Sequence, residues 1–214
     1  MSPTDYERYY VRHLPHVQPI SATFFVTCRL AGTIPQRVRS ALLEEAKREG
    51  EHLDRLEDSN ERRQQAYLFH RRSFGRWDAV LDSSAQGPTW LREERVAQMV
   101  AESLHYRQDK VWDLLAYCLM PNHLHIVFTP LVDSDGHCPT ATAIMQSFKG
   151  YTAHKANVLL HRQEAFWQHE SYDHWVRDED ELARIITYVI NNPVKAGLVE
   201  HWEDWPWTYS QYAS

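Results

Sequence analysis

The chain has 214 residues, 43% of them hydrophobic, a net charge of −6 and three cysteines. That length fits one domain or a domain with an insertion. The charge argues against a simple DNA-coating protein, although residues 178–214, with two Lys/Arg against seven Asp/Glu, carry −5 of it and leave the rest near neutral. Cys28, Cys118 and Cys138 form neither a CxxC pair nor a disulfide framework, which fits thiols in a reducing compartment. No apolar run is long enough to span a membrane, and the charged start MSPTDYERYYVRHLPH has no signal-peptide core. A cytoplasmic protein is expected.

In chain order, ATFFVTCRL (22–30) is rich in β-branched and aromatic residues and predicts a strand, ended by Gly32 and Pro35. Val38, Leu42, Ala46, Leu53 and Leu56 recur at helical spacing and predict a helix over 36–57. Residues 58–76 are polar and basic, WDAVLD (77–82) reads as a short strand, and Gly87-Pro88 breaks the chain. A helix over about 90–106 precedes two strands, 111–119 and 123–129, turned at Pro121-Asn122. A polar loop, a helix over about 140–161 and short extended pieces in 165–177 follow. The last helix, 179–191, opens with Asp178 and Glu181 in a capping pattern and stops at Pro193 and Gly197. The aromatic tail HWEDWPWTYSQY packs back on the body. A hairpin among interleaved helices predicts an α+β fold, a ferredoxin-like antiparallel sheet covered by helices. The expected organisation is a single domain over 1–214, with an insertion at about 58–90 and a C-terminal helix carrying chemistry.

Two places can carry that chemistry. His123 and His125 alternate with Leu124 and Ile126 on a strand, so both imidazoles share one face and can hold one divalent cation with a third ligand from elsewhere. Two surface histidines on a half-exposed strand would give the same pattern. On the last helix Leu182, Ile185, Ile186 and Val189 form the apolar stripe, with Tyr188 beside it and Asn192 one turn on. A free phenol is a poor nucleophile near neutral pH, its pKa being about 10, and a nearby cation would help by polarising a scissile phosphate. Rim packing of Tyr188 and a helix stop at Asn191-Asn192-Pro193 is the plainer alternative.

Taken together, MPNHLHIVF, SFKGYTAHKAN, FWQHESYDHWVRDEDELARIITYVINNPVKAGLV and EDWPW resemble, in order and spacing, the REP-associated tyrosine transposases. These are a branch of the IS200-like transposases within the HUH single-strand endonucleases. The resemblance covers roughly 9–212 and is weakest over 50–90. It implies a protein that acts on single-stranded, hairpin-bearing DNA as a nuclease and strand transferase. In it His123, His125 and Asn192 would hold Mg²⁺ or Mn²⁺. Tyr188 would attack a phosphodiester to give a 5′-phosphotyrosine and a free 3′-OH, and a monomer is implied. Family members are often basic, and this acidic chain departs from them there.

Lys149, His154 and Lys155, on the helix after the His pair, and Arg12 are candidate nucleic-acid contacts; Arg71, Arg72 and Arg76 belong to a charge run that can equally be a solvated face. Tyr172, beside Asp173 and His174, rivals Tyr188 as nucleophile, while Tyr117 and Tyr151 read as core or stacking residues. Trp205 and Trp207 could stack on bases, though packing of the tail is favoured. His137 and Cys138 lack companions for a second metal site. Two other functions fit parts of the pattern: a hairpin-binding module without chemistry, and an unrelated metal hydrolase, which would be expected to add a carboxylate ligand.

Overall fold

The computed structural model describes residues 7–11, 15–19, 22–83 and 87–213. Arg12 lies outside them. The chain divides into two compact units, one made of 1–9, 16–31 and 88–214, the other of 10–15 and 32–87.

The first unit is built on a five-stranded antiparallel sheet. Its strands are β3 (Phe24–Arg29), β4 (Trp112–Leu119), β5 (His123–Pro130), β6 (Tyr172–Trp175) and β7 (Thr208–Ser210), in the order β6-β3-β5-β4-β7. Strands β1 (Glu7–Val11) and β2 (Pro15–Pro19), which no sequence signal announced, pair in a separate two-stranded sheet. With β3 to β6 taken as the four strands of a βαββαβ motif, their order is that of a ferredoxin-like sheet, and β7 extends it beside β4. The expected α+β architecture is the observed one. The long helices of this unit among the described residues are α3 (Glu94–Tyr106), α4 (Ala141–Leu159) and α5 (Glu179–Ile190).

Strand alternation divides the side chains between two faces. Phe24, Val26, Cys28, Leu124, Ile126 and Phe128 join the core with α3 (Val96, Val100, Leu104) and α4 (Ile144, Met145, Phe148). The other face carries Phe25, Thr27, His123 and His125, and there Tyr188 of α5 packs. Both faces of β5 are therefore buried, His123 at 1% and His125 at 0% exposure, so these are not surface histidines. The tail returns as expected. β7 pairs with β4, and the Trp205 indole donates to the Leu119 carbonyl at 2.9 Å.

The second unit contains a helical hairpin, α1 (Gln36–Leu53) and α2 (Ser59–Ser83). The strand expected over 77–82 is a correction: those residues are the last turns of α2. Ala66, Phe69, Ser73, Trp77 and Leu81 lie three or four residues apart and are buried or half-buried. This helical stripe outweighs the short alternation of WDAVLD. Charge links the two helices, Arg76 to Glu45 and Arg72 to Glu49 at 3.9 Å. Gly87 has φ +119°, and a Cβ there would lie 3.1 Å from the Thr33 Cα, so both backbone conformation and space favour glycine.

Candidate active site

The His pair sits where β5 leaves the turn after β4, with Arg29↔His123 and Thr27↔His125 in register on β3. Their Nε2 atoms are 3.0 Å apart. Each outer nitrogen has its own partner: His123 Nδ1 lies 2.6 Å from Asn122 Oδ1 and His125 Nδ1 lies 2.8 Å from Thr27 Oγ1. An amide oxygen only accepts, so His123 carries its proton on Nδ1 and turns the Nε2 lone pair inward. The Thr27 hydroxyl can donate or accept. When it donates, His125 holds a proton on Nε2 and shares it with His123; when it accepts, both Nε2 lone pairs face one point. The second arrangement suits a cation. Two nitrogens about 2.1 Å from one ion at cis positions are roughly 3.0–3.4 Å apart.

Tyr188 lies on α5 because Asp178 fixes the start of that helix, its Oδ1 accepting from the Glu181 N–H at 2.7 Å. The Tyr188 ring centroid is 5.5 Å from that of His125 and 6.1 Å from that of Phe25, edge-on to both. The Lys195 Nζ stands 5.5 Å from its centroid, and its hydroxyl oxygen is shielded from water. Pro193 ends α5 as expected and also opens one further turn, α6 (Asn192–Lys195), before Gly197 at φ +67°. Asn192 is therefore fully buried, and neither atom of its amide has a hydrogen-bond partner among the described residues. A buried amide left this way costs about 1–3 kcal/mol per group, and a cation would satisfy its oxygen. The donors present fit a divalent ion.

The other residues singled out from the sequence fall elsewhere. Lys149 uses all three ammonium protons within the chain, on Gln168 O (2.6 Å), His169 O (2.8 Å) and Ser171 Oγ (3.0 Å). Burial lowers its pKa, and a phosphate contact would have to replace one of those bonds. His154 and Lys155 are exposed on α4, with the Lys155 Nζ 5.8 Å from the exposed Tyr151 ring. Tyr172, on β6 opposite Thr27, meets Phe25 edge-on at 6.3 Å, so the two rival tyrosines share one phenylalanine. Tyr117 pairs with Ile126 on the α3 and α4 side; burial pushes its phenol up to about 12, and its oxygen lies 3.2 Å from His105 Nε2. His137 is exposed and lies 3.7 Å from Asp133.

Residues 89–192, running from the turn before α3 to Asn192, match the family described as IS200-like transposase. Over that stretch, just under half of the chain, the sequence is similar to the IS200-like transposases. It is 24% identical over 102 residues to the REP-associated tyrosine transposase of Escherichia coli K12, covering 48% of this chain and 56% of that protein. It is 28% identical over 102 residues to a Haemophilus influenzae protein provisionally given the same name, covering 45% of this chain and 58% of that one. The matches thus span less than two thirds of either relative. A solved structure of a REP-associated tyrosine transposase bound to a REP hairpin shares the fold of the matched stretch and its surroundings. The TM-score is 0.51 at 16% identity, over 96% of this chain and 81% of that one. The matched residues include the His pair, Tyr188 and Asn192.

Four contributors were missed from the sequence. Asn122 was read only as a turn residue, and Phe25 only as part of an apolar strand. Thr27 becomes visible only once β3 is registered against β5, and Lys195 depends on the extra turn after Pro193. Among the described residues no helix is long and apolar enough to cross a membrane.

Proposed function

We propose that the chain is a divalent-metal-dependent endonuclease and strand transferase acting on single-stranded DNA that carries a REP-like hairpin. What supports this most is the pair of Nε2 atoms 3.0 Å apart, their outer nitrogens engaged, beside the edge of the Tyr188 ring. His123, His125 and Asn192 would be the ligands. Two imidazoles make Mn²⁺ a better match than Mg²⁺, which prefers oxygen donors. The bound ion would polarise the scissile phosphate and offset the charge that develops on it.

The chain's own residues do the rest. Tyr188 Oη forms a bond to phosphorus while the bond from phosphorus to the 3′ oxygen breaks. The phenol proton passes to solvent, the leaving oxygen takes up a proton, and the products are a 5′-phosphotyrosine and a free 3′-OH. Attack by the 3′-OH of another strand reverses the step, so one phosphoester replaces another and no nucleotide cofactor is consumed. Phe25 and His125 hold the ring, and the Lys195 ammonium lies against it within cation–π range. His154, Lys155, Lys149 and Arg12 remain proposed DNA contacts, of which Lys149 would have to exchange a bond within the chain. The protein acts as a monomer and as one domain, with the segment at about 58–90 inserted into it.

Binding of Mn²⁺ followed by electron paramagnetic resonance tests the ligand set. One site is expected in the wild-type protein and none in His125→Gln. Thr27→Val, which keeps the shape and removes the hydroxyl, should weaken binding about 10- to 100-fold. Equal affinity in all three proteins would remove the His pair from the reading.

A further inference from the structure

The nucleophile's helix is tied to the sheet at a point remote from the metal ligands. Glu181, in the first turn of α5, is buried at 7% exposure. One carboxylate oxygen lies 3.1 Å from His174 Nε2 on β6, and the other accepts the Arg177 N–H at 3.0 Å. In a plain capping box this carboxylate would bond the N–H of the cap residue, Asp178. Here it is spent on the strand and on the residue before the cap, so it joins two elements rather than closing one helix end. Burial, the largest influence, lowers the His174 pKa, and a neutral imidazole donates its Nε2 proton to the carboxylate.

The positions close a circuit. Glu181 and Tyr188 are seven residues apart, so at about 100° per residue they lie within roughly 20° of one helical face. His174 stands opposite Phe25 across the β3–β6 pair, and the Phe25 ring touches both Tyr188 and His125. From Phe25 the path runs through the strand pair to His174, through the hydrogen bond to Glu181, along two turns of α5 to Tyr188, and back to Phe25. The contact of His174 with Glu181 adds a polar tie between α5 and β6 to the apolar packing of Ile186 and Val189.

We infer that Glu181 and His174 are positioning residues that fix the rotation of α5 and so hold the Tyr188 hydroxyl toward the His pair. The inference rests on the reading of Tyr188 as the nucleophile, but its first test does not use activity. With 3-fluorotyrosine placed at position 188, the fluorine resonance reports the ring's surroundings directly. Glu181→Ala and His174→Ala should each shift or broaden it, and Glu181→Gln, which keeps one acceptor, should restore part of the wild-type signal. Asp178→Ala is the control: it weakens the same helix end but leaves the carboxylate bridge, and its resonance should stay near wild type. In the DNA adduct assay, Glu181→Ala should lower the single-turnover rate at saturating hairpin DNA at least tenfold, with DNA affinity within about twofold of wild type. An unchanged resonance in Glu181→Ala, or an equal change in Asp178→Ala, overturns the inference. A wild-type protein that forms no adduct would count against the proposed nuclease and leave the fluorine comparison standing.

Discussion

The strand that carries the His pair and the helical hairpin of the second unit are held by different forces. On β5 every residue from His123 to Phe128 is buried, Leu124, Ile126 and Phe128 in the core with α3 and α4, and His123, His125 and Val127 on the face where Tyr188 packs. In the hairpin, α2 is long and polar, few of its described side chains are buried, and exposed ion pairs link it to α1. A site that must hold two nitrogens 3.0 Å apart needs the first kind of support. The second kind keeps two helices together while leaving most of their surface wet.

The largest predicted effect attacks the first kind. Phe128 is fully buried and meets Trp112 at 5.1 Å and Phe24 at 6.3 Å between ring centroids. Phe128→Ala should destabilise the protein by about 3–5 kcal/mol, read from the urea unfolding midpoint. A loss below 1 kcal/mol, within the range of a surface ion pair, would erase the contrast between the regions.

An intermediate effect comes from pH. Burial holds the His174 pKa below its ordinary 6.5 despite Glu181 and Asp173, while Arg177 also lowers it. In the unfolded chain His174 takes up its proton first as pH falls, so its contribution is fully present above pH 6.5 and is lost as pH drops through the lower folded value. His105, also lowered by burial, acts in the same direction. Unfolding free energy should therefore fall between pH 7.5 and 5.5, and His174→Gln should flatten that fall. An identical slope in the variant would mean that His174 is not buried as a neutral group.

The smallest effect tests the hairpin. Arg76 and Glu45 are about half exposed, so Arg76→Ala should change stability by no more than about 1 kcal/mol, and less in high salt. A loss comparable to that of Phe128→Ala would show the hairpin to depend on its charges far more than exposed pairs usually allow.

The same contrast explains what the sequence made legible. The β4–β5 hairpin could be read because strand alternation, a Pro-Asn turn and an apolar run all point the same way, and burial then enforces them. Helix α5 was readable from its cap at Asp178 and its stripe ending at Val189. Helix α2 was not, because its apolar residues are spread thinly among Arg and Gln, and a six-residue window around Trp77 imitates a strand. At the site, His123, His125, Tyr188 and Asn192 were visible as residue types at meaningful spacings. Thr27 and Phe25 were not, because their roles depend on which residue of β3 faces His125 and on which face of the sheet receives α5. Glu181 was visible as a cap residue, yet its bond to His174 depends on a β6 register that no local pattern encodes.

The most direct test of the central claim is capture of the protein–DNA adduct. Wild type, Tyr188→Phe and Tyr172→Phe would be incubated with labelled single-stranded hairpin DNA and Mn²⁺, then separated under denaturing conditions. The account predicts a covalent adduct in wild type and Tyr172→Phe and none in Tyr188→Phe. An adduct that survives Tyr188→Phe and disappears in Tyr172→Phe would contradict it and move the nucleophile across Phe25 to β6.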